Sequence, residues 1–387
     1  MRNRLKTYPS PAAKHYLRLT LAAIAFLACG DATGNDRRNP QPVSARTIWR
    51  LDGQGYLSPA VDSTTAFFGG LNNEIVAADK QTGRVLWRQD TGGRDLFSLG
   101  RNIVLAGNAA VVGDGDIRAF NRATGAPRWA FSGSGDNPGT AYLATDGLTV
   151  YAMSRAGIVY AVNALTGAQR WLTDLSDEGS FQTSGPIVSA GVVFVNFIGF
   201  EGAGIVVALE AASGRLLWRR DLDDAPGFSF QTPGRPAVFA SSVIVPAAGG
   251  RIHALDRTTG STLWVAPAAD MTVGRMESRP LTVAGSVVVA GSITGLLVGL
   301  DAATGRQLWR NQPTGGSVLE TPVADLDGAT VFFTFAGGQV TAISAASGTV
   351  RWNVMADFAF GVDLLPPAVD AERLYLSAPR GYYALRK

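Results

Sequence analysis

Few residues in this chain could do covalent chemistry. Two histidines, His15 and His253, and one cysteine, Cys29, stand in 387 residues. His15 lies in the basic leader. His253 precedes a small residue in "GRIHALD", and kindred stretches of chain hold Val76, Arg118, Tyr160 and Val207 at the matching place. A position of such varied chemistry is a poor home for a general base. No serine-nucleophile signature, metal-spaced His/Cys cluster or phosphate-cradling glycine loop occurs. The "GDGD" run at 113–116 reads as a hairpin turn and is too short for an EF-hand calcium loop. These residues predict a protein that is not an enzyme and holds no cofactor or metal.

Cys29 has a different use. Arg2, Arg4, Lys6, Lys14 and Arg18 lead into the apolar run "LTLAAIAFLA" at 19–28. That is a signal h-region, too short to span a bilayer. The stretch "FLAC" at 26–29 resembles a bacterial lipobox, with Phe26 where leucine is usual. The resemblance implies cleavage before Cys29 and its conversion to a diacylglyceryl anchor. Gly30 in the next place fits sorting to the outer membrane. The alternative is an incidental cysteine in a discarded leader. Residues 30–45, "GDATGNDRRNPQPVSA", hold almost nothing that could enter a core and read as a flexible tether.

Charge narrows the field further. Lys and Arg number 34 against 31 Asp and Glu, and five of the bases fall in the leader. The remainder is close to neutral and has no basic stripe, which removes the electrostatic footprint of a nucleic-acid binder. The 46 glycines exceed ordinary usage of about 7% and point to many tight turns.

Those turns belong to a repeat. The string "AADKQTGRVLW" at 77–87 returns as "AFNRATGAPRW" (119–129), "AVNALTGAQRW" (161–171) and "ALEAASGRLLW" (208–218). It returns again as "ALDRTTGSTLW" (254–264), "GLDAATGRQLW" (299–309) and "AISAASGTVRW" (342–352). The small residue and the tryptophan are ten apart each time, and the tryptophans recur every 42 to 47 residues. This is the period of four-stranded propeller blades. An Asp, Asn or Glu two places after the small residue can bond forward across a turn. The glycine after Thr or Ser suits a left-handed backbone.

The ends complete one another. Trp49, in "RTIWRLD", has no preceding unit, and "GYYALRK" at the C-terminus has a small residue, Ala384, but no turn or tryptophan. The first strand is therefore expected to be the outer strand of the last blade. The expectation is an all-β, eight-bladed β-propeller of four-stranded antiparallel blades over residues 46–387, its ring closed by the N-terminal strand. Trp49, Trp87, Trp129, Trp171, Trp218, Trp264, Trp309 and Trp352 would dock each blade on its neighbour. A buried indole removes about 150–250 Å² from water, a gross gain of roughly 4–6 kcal/mol per blade.

The unit small-x-Asp-x-x-Thr-Gly-x-x-x-Trp resembles the tryptophan-docking motif of PQQ-type eight-bladed propellers. That family has two branches, quinoprotein dehydrogenases and non-catalytic envelope propellers of the BamB kind. The dehydrogenase branch usually carries a vicinal cysteine pair, and this chain has no cysteine after Cys29. The resemblance therefore favours a monomeric, lipid-anchored scaffold on the periplasmic face of the bacterial outer membrane. It would assist β-barrel assembly by contact with a BamA-like protein and with unfolded client strands. The segment "PGFSFQTPGRP" at 226–236 is similar to a partner-contacting stretch of that branch. The resemblance assigns Phe228, Phe230 and Gln231 to contact, with Glu277 of "MESRP" beside them. Gln182, Gln231, Glu277 and Glu320, each ahead of a proline, would ring the channel mouth. The alternatives are a propeller holding a small ligand or glycan in its channel, and a divergent quinoprotein.

Overall fold

The structure is a computed structural model. It describes residues 41–70, 73–92, 99–133, 142–154, 156–180, 185–199, 204–222, 234–247, 250–266, 280–292, 294–313, 316–318, 320–356 and 364–387. Among these no α-helix occurs, and a 3-10 turn spans Val43–Ala45. All other regular structure is β.

Four strands make the first blade: Gly55–Val61, Thr65–Gly70, Glu74–Asp79 and Val85–Asp90, each antiparallel to the next. The middle two read as near-continuous apolar runs because both of their faces are covered by neighbouring blades. The outer strand alternates, with Trp87 buried between exposed Leu86 and Arg88. The pattern repeats at 99–131 (blade 2), 144–174 (blade 3), 187–221 (blade 4), 237–266 (blade 5), 281–311 (blade 6) and 323–355 (blade 7). Blade 8 takes three strands from 368–386 and its fourth, Thr47–Leu51, from the other end of the chain. The closing strand pairs with Gly381–Arg386 and sets Trp49 opposite Ala384. The fold class, including its sealing by the first strand, is as the repeat predicted.

The cross-strand register explains the small residue. Ala77 lies opposite Trp87, Ala161 opposite Trp171, Ala208 opposite Trp218 and Gly299 opposite Trp309. The indole folds back over its own blade, and anything larger than a methyl group would meet it. At Gly299 even a Cβ would come within 2.1 Å of Trp309 Cε2. A β-bulge follows this position in every blade where the pair occurs. It starts the turn in which Asp79 Oδ1 accepts from the Thr82 amide at 2.8 Å and the Thr82 hydroxyl at 2.8 Å. These bonds hold the Asp79 carboxyl below the usual range, as those from Thr304 do for Asp301.

The glycine of that turn belongs to the joint. Gly83 has φ +74°, and a Cβ there would sit 2.7 Å from Trp49 Cδ2. Trp87, Trp129, Trp171, Trp218, Trp264 and Trp309 face the turn glycine of the following blade in the same way. Each indole N–H, Trp49 included, donates to a carbonyl of that turn, from Lys80, Arg122, Ala164, Ala211, Arg257, Ala302 or Ala345, at 2.8–3.2 Å. Seven joints are thus equivalent. The repeated string builds both partners of a joint: tryptophan for one blade, turn for the blade before it.

The eighth joint lacks this turn, because blade 8 takes its outer strand from the other end of the chain. Arg46 fills the gap. Its guanidinium lies 4.3 Å from the Trp352 ring centroid, and its Nη1 donates to the Lys387 carbonyl at 3.0 Å. Residues 41–45, within the span expected to be tether, already touch the ring. Gln41–Pro42 pairs parallel to the outer strand of blade 7, and Val43 is buried beside Leu364 and Leu376.

Candidate functional site

Each blade's outer strand leads to the next blade's inner strand across one face of the ring. The segments at that face carry the candidate site. Phe228, Phe230, Gln231, Glu277 and Gln182 lie outside the described residues, as does Cys29. The residues that follow the Phe228 segment in the chain are described.

The carbonyl of Gly234 accepts from Asn196 Nδ2 of blade 4 at 2.9 Å. The next residue, Arg235, sits two places ahead of the inner strand Ala237–Phe239. Its Nη2 donates to the Pro186 carbonyl of blade 4 at 3.2 Å. Its guanidinium stacks on the Tyr142 ring of blade 3, 4.7 Å from the centroid. Burial pulls its pKa down from the ordinary arginine value and the Tyr142 hydroxyl opposes that pull. Arginine remains a cation even so. One residue therefore ties together the entrances of blades 3, 4 and 5.

Tyr142 is itself held on both sides. The neighbouring Leu143 exchanges two hydrogen bonds with the Asn102 side chain of blade 2, at 2.8 and 3.1 Å. Gly185 of blade 4 lies against the Tyr142 backbone, where a Cβ would be 2.2 Å from its carbonyl oxygen. The Tyr142 hydroxyl donates to Glu320 Oε2 at 2.8 Å. Glu320, one of the residues expected to ring the channel mouth, carries this bond.

His253 is buried in mid-strand, opposite Val245 and Val265. Among the described residues no group of three His, Cys, Asp or Glu could hold a metal ion. No described helix is long and apolar enough to cross a membrane. Arg235 and Tyr142 were not foreseen from the sequence. The only signal for them is negative, since both stand outside the repeated string.

Comparison with known proteins bears on what such a ring does. The family model described as outer membrane protein assembly factor BamB matches residues 41–113, 113–290 and 249–381. The chain belongs to the BamB family. BamB of Yersinia pestis is 25% identical over 308 residues, which cover 78% of this chain and 67% of that protein. BamB of Vibrio cholerae is 38% identical over 238 residues, 59% of this chain and 57% of that protein. The crystal structure of BamB from Moraxella catarrhalis superposes with TM-score 0.65 at 20% identity, covering 88% of this chain and 99% of that one. Quinohemoprotein alcohol dehydrogenases share the fold at 16% identity, and that likeness extends to the fold alone.

Proposed function

We propose that this chain is a non-catalytic scaffold that assists outer-membrane protein assembly. The observation that carries the reading is the match of the BamB family model along nearly the whole ring. On this reading 1–28 are a lipoprotein signal, 29–45 the expected tether, of which 41–45 lie on the ring, and 46–387 the propeller. Cys29 carries the lipid and holds the ring at the periplasmic face of the outer membrane.

The mechanism is rigid presentation. A partner-binding loop gains affinity when its flanks are already ordered, because less entropy is lost on binding. The Asn196, Arg235 and Gly234 contacts supply that order next to the Phe228 segment. Phe228 and Phe230 are the apolar anchors, with Gln231 and Glu277 as polar neighbours, and the partner is a BamA-like barrel protein. Anchors of this kind often dominate an interface.

Crosslinking in membranes followed by pull-down tests this directly. The wild type is expected to retain the barrel protein and the double variant Phe228→Ala, Phe230→Ala to lose it. Equal recovery from both moves the interface elsewhere, and absence from both ends the assembly reading.

A further inference from the structure

The Tyr142–Glu320 hydrogen bond joins places that the ring sets far apart. Tyr142 stands at the entrance of blade 3 and Glu320 at the entrance of blade 7. With eight blades in order, blades 3 and 7 are four steps apart, so they face each other across the axis. The bond therefore passes over the channel and not along its wall. Arg235 of blade 5 bears on the same tyrosine, and its Nη2 is secured to Pro186 of blade 4. A cation at one end and a carboxylate at the other polarise the phenol between them, which strengthens both contacts in a half-buried setting.

We propose that Arg235, Tyr142 and Glu320 form a brace across the axis, closing the channel at the loop-bearing face and coupling blade 3 to blade 7. Neighbouring blades are already tied by indole joints. A ring held only by such joints can still flatten into an ellipse, because each joint yields slightly. A diagonal strut resists that mode. Tyr142 suits the role because its ring is long, flat and rigid about two torsions, and because Gly185 and Asn102 fix its base. Closing the axis also directs partners to the face and rim of the ring. The brace does not depend on the identity of the partner.

Hydrogen exchange on the intact propeller, read by mass spectrometry, tests it. The segments to follow are the inner strands near 142–145 and 320–324, with 55–61 of blade 1 as the internal reference. Tyr142→Phe removes the hydroxyl and little else. Exchange is expected to rise about fivefold, the factor for one ordinary hydrogen bond, in blades 3 and 7 together. Glu320→Ala should produce the same paired rise, and Glu320→Gln, which keeps an acceptor oxygen, should restore near-native protection. The double variant Tyr142→Phe, Glu320→Ala should exchange no faster than either single variant. A rise confined to the substituted blade overturns the brace. So does an equal rise in blade 1, or an additive effect in the double variant.

Discussion

Seven of the blade joints and the eighth solve one packing problem in two ways. At the seven, a glycine in a left-handed turn lets the indole lie flat against backbone, and a turn carbonyl takes its N–H. At the eighth there is no turn, and Arg46 covers the ring of Trp352 and takes the corresponding carbonyl, that of Lys387. The first solution is apolar and independent of salt. The second uses a charge. The difference extends to the joints beside it. Lys387 pairs with Asp325 between blades 8 and 7, Lys80 with Asp370 between blades 1 and 8, and Arg122 with Asp62 between blades 2 and 1. The same turn position is alanine in blades 3, 4, 6 and 7. Among the described residues, these three ion pairs lie at or next to the blade whose outer strand comes from the other end of the chain.

The largest effect should come from an apolar joint. Trp218→Ala is expected to lower unfolding stability by about 3–5 kcal/mol in a urea titration. A loss under 1 kcal/mol would show that the ring does not depend on its wedges. Next comes the ionic group. Lys80→Met should cost about 1–2 kcal/mol at neutral pH, because it strands a carboxylate that is only 15% exposed.

Acid should separate the two kinds of joint. Burial opposes ionisation of Asp370, but bonds from Lys80, the Glu372 and Arg373 amides and Tyr375 outweigh it and hold its carboxyl below the usual range. Asp62 is held down likewise, with Arg122 its strongest support. A depressed folded pKa gives stability that is complete above about pH 4, the unfolded value, and is lost as pH falls through the folded value. Unfolding midpoints should therefore drop below pH 4 in the wild type, and less steeply in Lys80→Met. Parallel curves would detach the acid response from this seam.

Arg46→Ala should cost about 1 kcal/mol, and the loss should shrink in high salt. Asp301→Asn should change stability by less than about 0.5 kcal/mol, since Asn121 and Asn163 make the same turn bonds in their blades. A larger loss would mean that the turn needs its charge.

What could be read beforehand follows the same division. The tryptophans, their small partners and the turn glycines recur, so spacing alone exposed the blades, and the unmatched Trp49 and Ala384 exposed the closure. Arg46 occurs once and substitutes for something missing, which no periodicity can signal. Tyr142 and Glu320 are 178 residues apart and meet only because the ring bends them together. Glu320 could be singled out by its place ahead of a proline, and its partner could not. Phe228, Phe230, Gln231 and Glu277 stand outside the repeated string, so only family resemblance could single them out.

The seal made by Thr47–Leu51 has a consequence in time. Arg50 and its acceptor, the Arg380 carbonyl, are 330 residues apart in the chain. During synthesis the first strand emerges long before the three it must join. Until then blade 1 keeps Phe68 bare, the ring that later packs on Trp49 and Tyr382. A molecule that folds from its first blade would pass through an open arc with an apolar flank at its leading end until the last three strands arrive.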